Sequence, residues 1–190
     1  IAMWKAVQAG WQPPDVVTED EYNAVKADPA AYAPELVAFI AFGCSFAGAW
    51  FTTYARGDGD RNYASNAYYA ITRKRRAIQG VTFIHASYDA LAIPPRSLIY
   101  CDPPYAGTTG YMSAFDSGAF WQWADAMTDD GHTVFVSEYN APAHWRCVWA
   151  KERTVNLTNL TPAQSAVERV FTRSDMAAVE YAPMATLAMF

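Results

Sequence analysis

LIYCDPPYAGTTGY, residues 98–111, places an acid, two prolines and a tyrosine directly behind a short apolar run, with glycines and threonines following. The run Leu98–Cys101 reads as a buried strand, so Asp102 stands at a strand's carboxyl end, where open α/β sheets bind ligands. Proline has no N–H and keeps the residue before it extended. Pro103 and Pro104 therefore form a stiff turn whose carbonyls face outward as acceptors. Asp102 adds a carboxylate acceptor and Tyr105 a flat ring. Two acceptors beside a ring suit an exocyclic NH₂ on a planar base. Accepting both hydrogens draws the nitrogen lone pair out of conjugation, and no cysteine nucleophile is needed. Inside a duplex such an amine is buried in the stack, so the base must be flipped out or already single-stranded. An ordinary Asp-Pro turn is the plain alternative, but four defined residues after an apolar strand are more specific than that dipeptide.

Strand and helix signals alternate around this turn. VTFIHA (81–86) reads as a strand and IPPRS (93–97) as a turn. Asp116 or Ser117 caps a helix, GAFWQWADAMTDD, which Gly131 stops at its C′ position. HTVFVSEY, RCVWAKERTV and VERVFTR are further strands, the last two forming an antiparallel edge hairpin. The expectation is an α/β domain with a mostly parallel sheet. Upstream the pattern is helical. IAMWKAVQAGW lies mid-way through an amphipathic helix, and Thr18 with Glu21 makes a capping box for a second helix ending near Asp28. PELVAFIAFGCSF is a buried helix or a strand. YASNAYYAITRKRRAI is a helix ending in a basic cluster.

The bulk numbers suit one globular domain. Of 190 residues, 52% are hydrophobic and 17% charged, and the seven Trp, twelve Tyr and ten Phe are mostly core. A net charge of −5 argues against broad, nonspecific nucleic-acid binding, though not against a narrow basic patch. The three Cys are scattered without CxxC spacing and the three His without HxxxH, so neither a disulfide framework nor a metal site is expected. A reducing cytoplasm fits. No apolar run is long enough to span a bilayer, and no signal peptide opens the chain.

The segment IYCDPPY (99–105) resembles the signature of N6-adenine and N4-cytosine DNA methyltransferases. The wider similarity is to Dam-like adenine methyltransferases of the kind phages carry. It rests on FGCSFAGAWFTTYARG (42–57), NYA (62–64), GVTFIHASYDAL (80–91), LIYCDPPYAGTTGY, FDSGAFWQW (115–123), GHTVFVSEYNAP (131–142) and CVWAKE (147–152), and covers residues 1 to about 171. The resemblance implies a Rossmann-like fold and methyl transfer from S-adenosylmethionine to the adenine amine, by direct in-line displacement in which positioning and electrostatics carry the rate. It implies that Asp102 and the Pro103 carbonyl hold the amine, Pro104 shapes the turn and Tyr105 stacks on the base. It further implies a single domain with a helical, DNA-facing part over about 1–76 and a catalytic sheet over about 80–173. The tail 174–190 has no place in the resemblance.

Such enzymes hold the cofactor partly with an F-x-G-x-G loop after the first strand, followed by an acid for the ribose. Residues 42–48 with Asp58 or Asp60 are one candidate. The family pattern instead places FGCSF between the ribose acid and the DPPY turn, near the DNA. With no opening Met and a first helix that lacks a cap, the expectation is that the cofactor loop lies upstream of Ile1, so that the chain alone binds S-adenosylmethionine poorly. The remaining cofactor candidates are Ser87 and Tyr88, with Asp102; a polar loop of no special role is nearly equal to the first two.

For DNA, Arg56, Arg61, Asn62 and Tyr63 lie in a Gly-rich loop, where Arg suits guanine edges and Asn adenine. Thr108, Thr109 and Tyr111 follow the turn and could close over a flipped base. Asn140, at another strand's carboxyl end, lines the pocket or simply shapes a turn. Arg73, Lys74, Arg75 and Arg76 are a solvated helix end in the first instance and phosphate contacts in the second. Trp121 and Trp123 read as packing. The resulting expectation is a monomeric, metal-free DNA adenine-N6 methyltransferase of a bacterial or phage-infected cytoplasm, acting on double-stranded DNA with a flipped adenine. Cytosine N4 in DNA or guanine N2 in RNA is the alternative amine. A non-catalytic methyltransferase-like DNA-binding remnant is the alternative class.

Overall fold

A computed structural model describes residues 1–57, 62–105, 115–155 and 164–175, with backbone only at 153–155 and 164–166. The chain divides into two compact units, Ile1–Ser87 and Tyr88–Phe190.

The first unit is helical: α1 (Ala2–Gln8), α2 (Glu19–Ala27), α3 (Pro34–Gly43) and α4 (Tyr63–Lys74). The capping box forms. The Thr18 side chain accepts from Glu21 N at 3.2 Å, and Glu21 Oε2 accepts from Thr18 N at 2.7 Å. The apolar run at 34–43, open between helix and strand, is helix. Pro34 starts it with its fixed φ, and Val37, Phe39, Ile40 and Ala41 are buried. Gly43 ends it where a Cβ would lie 2.9 Å from the Ala67 Cβ, so only glycine lets α3 and α4 come this close. Val7, Val17, Tyr22, Val25, Phe39, Ile40, Ala64 and Ile71 form the core.

The second unit is a mixed α/β layer: β1 (Leu98–Cys101), α5 (Ser117–Asp129), β2 (Thr133–Glu138), β3 (Trp145–Val155) and β4 (Gln164–Arg173). Strand order is β1-β2-β4-β3. β1 and β2 pair in parallel from Leu98↔Thr133 to Cys101↔Val136, with α5 as the crossover between them. β4 returns antiparallel between β2 and β3, and the expected edge hairpin forms, with a bulge at Cys147/Trp149. Asp116 caps α5, accepting from Ala119 N at 2.9 Å, and Gly131 leaves the helix at φ 85. Phe120 and Ala124 of α5 pack on Val134 and Val136 of β2, with Trp145 and Phe171.

Two expectations need correction. Only one of the three described strand pairings is parallel, so the described sheet is mixed rather than mostly parallel. VTFIHA (81–86) is not a strand. Val81 is 44% and Ile84 60% exposed, and the segment takes part in none of the described strand pairings. β propensity supplies a strand's side chains but not the partner ladder that defines one.

Candidate active site

Parallel pairing brings the carboxyl ends of β1 and β2 to the same edge of the sheet. There the DPPY turn leaves β1 while Ser137, Glu138 and Tyr139 end or leave β2. Asp102 is exposed; Pro103, Pro104 and Tyr105 are half-buried. The Tyr105 hydroxyl and Ser137 Oγ share a hydrogen bond of 2.7 Å, and Ser137 is only 7% exposed. The rings of Tyr105 and Tyr139 meet at 4.7 Å between centroids and 83° between planes. In such an edge-to-face pair at least one face of Tyr105 is left uncovered by Tyr139. Burial, and secondarily the Asp102 carboxylate, hold the Tyr105 phenol above its ordinary range against the opposing Ser137 bond, so it remains neutral near pH 7.

The β2 end is braced from behind. Arg169 of β4 donates from Nη1 to Tyr139 O at 2.8 Å, and the buried Glu138 carboxylate accepts from Tyr139 N at 2.7 Å. Both backbone groups of residue 139 are thus held by charged partners, which are stronger than neutral ones. The arrangement anchors the backbone that carries the Tyr139 ring, which packs on Tyr105. Burial pushes the Cys101 thiol up to about 11, so the cysteine beside Asp102 is a protonated packing residue and not a nucleophile.

Among the other expected site residues, Asn140 is exposed just beyond β2, whereas its neighbours Ser137 and Tyr139 reach Tyr105. Sequence reasoning assigns no role to those two, nor to Arg169 and Glu138. The detectable signal is the second strand ending in Ser-Glu-Tyr; the missing information is its register. In the first unit Arg56 is engaged by Glu19, with Nε donating at 3.0 Å and the second guanidinium nitrogen closer still. Asn62 caps α4, accepting from Ala64 N at 2.9 Å, while its Nδ2 donates to Val17 O at 2.9 Å. Its amide is occupied by the fold. Tyr63 opens α4, half-buried. Arg61, Thr108, Thr109 and Tyr111, with Asp58 and Asp60, lie outside the described residues.

Residues 42–48 close a helix instead of following a strand. Ser87 is exposed at the end of the first unit. Tyr88 is half-buried and packs edge-on against Trp123 at 5.0 Å and Phe120 at 5.6 Å. Among the described residues no group of three His, Cys, Asp or Glu is gathered for a metal, and no helix is long and apolar enough to cross a membrane. No family model and no curated protein matches the chain.

Proposed function

We propose that this chain carries the catalytic turn of a Rossmann-like DNA methyltransferase, which transfers a methyl group from S-adenosylmethionine to the N6 amine of adenine in the cytoplasm of a bacterial or phage-infected cell. One observation carries the reading: an Asp-Pro-Pro-Tyr turn at the end of a parallel strand, with its tyrosine held by Ser137 and Tyr139 from the adjacent strand end. The chemistry follows from these residues. The exposed Asp102 carboxylate and the Pro103 carbonyl accept the two amine hydrogens, and a pre-positioned Tyr105 ring stacks on the flipped base. Preorganised acceptors of this kind favour the developing positive charge on the amine nitrogen.

The test supplies isotope-labelled S-adenosylmethionine and unmethylated duplex DNA, then separates the product nucleosides. N6-methyladenine is expected. N4-methylcytosine, or N2-methylguanosine from RNA, would move the reading to another amine. The packed Tyr88 ring favours one second reading, a non-catalytic methyltransferase-like module that binds DNA. A folded chain that binds both S-adenosylmethionine and duplex yet transfers no methyl group would establish it. Asp102→Ala is expected to abolish transfer with the fold intact, because Asp102 is exposed. Undiminished transfer in that variant would remove the acceptor mechanism.

A further inference from the structure

Four consecutive cations, Arg73, Lys74, Arg75 and Arg76, close α4 in a chain whose net charge is −5. Compensation of the helix's carbonyl end would be the ordinary account of them. Here several carbonyls at and just beyond that end are already engaged. Thr72 O accepts from Arg75 N, Lys74 O from Ile78 N, Arg76 O from Gln79 N, and Arg75 O from Gln79 Nε2. Two of the cations also have local partners. Lys74 Nζ lies 6.0 Å from the Trp4 ring centroid, and Arg73 Nε leans back to Tyr69 O at 3.4 Å. Arg75 and Arg76 differ: among the described residues neither guanidinium has an ion pair or a hydrogen-bond acceptor.

These two residues line a recess of about 320 Å³ together with Gln8, Thr72 and Gln79. Its walls are fixed by the backbone. Gln8 Nε2 donates to Ile78 O at 2.6 Å and to Val81 O at 2.7 Å, tying α1 to the turn after α4. Gly10, at φ 106, leaves space for one guanidinium: a Cβ there would lie 3.0 Å from Arg75 Nη2. All five lining side chains are polar, two are permanently positive and none is acidic. Two guanidinium forks at one recess match the oxygens of a phosphate group.

We propose that this recess binds a phosphate group, and, resting on the nucleic-acid reading above, that the group is a phosphodiester of the DNA backbone. The interaction holds the duplex without reading its sequence. Free inorganic phosphate has the same chemistry, and the experiment separates the two. Duplex binding is measured by fluorescence anisotropy across a salt series, for the parent chain and for Arg75→Gln/Arg76→Gln. Each phosphate that the protein no longer neutralises makes the slope of log K on log salt shallower by about 0.9, so the double variant, losing one phosphate contact, should bind every sequence more weakly with a slope shallower by about 0.9. Arg76→Gln alone, at an exposed side chain, gives the same answer at about half the size should the double variant not fold. An unchanged slope in a folded variant overturns the phosphodiester assignment and leaves the DNA reading standing. No duplex binding by the parent chain refutes that reading itself. Loss of inorganic-phosphate binding alone, with duplex binding unchanged, assigns the recess to the free ion and also overturns the proposal.

Discussion

Replacing Tyr105 by Phe deletes one hydroxyl and keeps the ring, so it isolates the Ser137 bond from the Tyr139 packing. The 2.7 Å bond involves a serine that is 7% exposed. A typical net hydrogen bond contributes about 1 kcal/mol, and a buried hydroxyl left without its partner costs about 1 to 3 kcal/mol. Tyr105→Phe should therefore destabilise the chain by about 1 to 2 kcal/mol. The Tyr139 ring interaction, about 0.5 to 1.5 kcal/mol, is retained in that variant and removed in Tyr105→Ala. Urea unfolding of Tyr105→Phe, Ser137→Ala and the double variant closes a thermodynamic cycle, with an expected coupling of about 1 kcal/mol. Single effects that add to within about 0.3 kcal/mol would show that the hydroxyls do not act together, and the brace on the turn would have to be abandoned. In the proposed methyl transfer, the Phe variant should lose no more than about 30-fold, because about 2 kcal/mol corresponds to roughly 30-fold. Tyr105→Ala, without the stacking ring, should lose far more. Equal losses in the two would refute a stacking role for the ring.

Other outcomes follow from single features. Thr18→Ala removes the α2 capping box and should cost about 1 kcal/mol in chemical denaturation. The backbone and side-chain bonds from Thr18 hold the Glu21 carboxyl below its ordinary value. A lowered folded pKa stabilises above the ordinary carboxylate range and loses that contribution as pH falls through the folded value, so the Thr18→Ala difference should shrink on acidification. Gly131→Ala forces a side chain into φ 85 and should destabilise by about 1 to 2 kcal/mol, seen as a lower thermal midpoint. Iodoacetamide at pH 8 should label the exposed Cys147 first, since burial pushes Cys101 up to about 11 and Cys44 up to about 12. Raising the pH toward 11 should bring Cys101 into reaction, and equal rates for all three at pH 8 would contradict the burial.

Local chemistry makes several elements legible without a structure. Thr18 with Glu21, Asp116 with Gly131, and the apolar strands ending at Cys101 and Glu138 all announce themselves over a few residues, because caps and short strands depend on near neighbours. The DPPY turn belongs with these: its stiffness and outward acceptors are properties of proline and aspartate. VTFIHA misleads for the complementary reason, since a strand requires a partner that local sequence does not specify. Asn62 and Arg56 carry side chains with the capacity of base readers, and folding also gives them partners distant in sequence, Val17 and Glu19. Parallel register alone brings Ser137 and Tyr139 to Tyr105, 32 and 34 positions away in sequence, and antiparallel return alone brings Arg169 behind them. The sequence by itself determined the turn and the acceptors it can present. Only the tertiary structure decided what holds Tyr105 in place, because hydrogen bonds and ring packing act over a few ångströms whatever the separation along the chain.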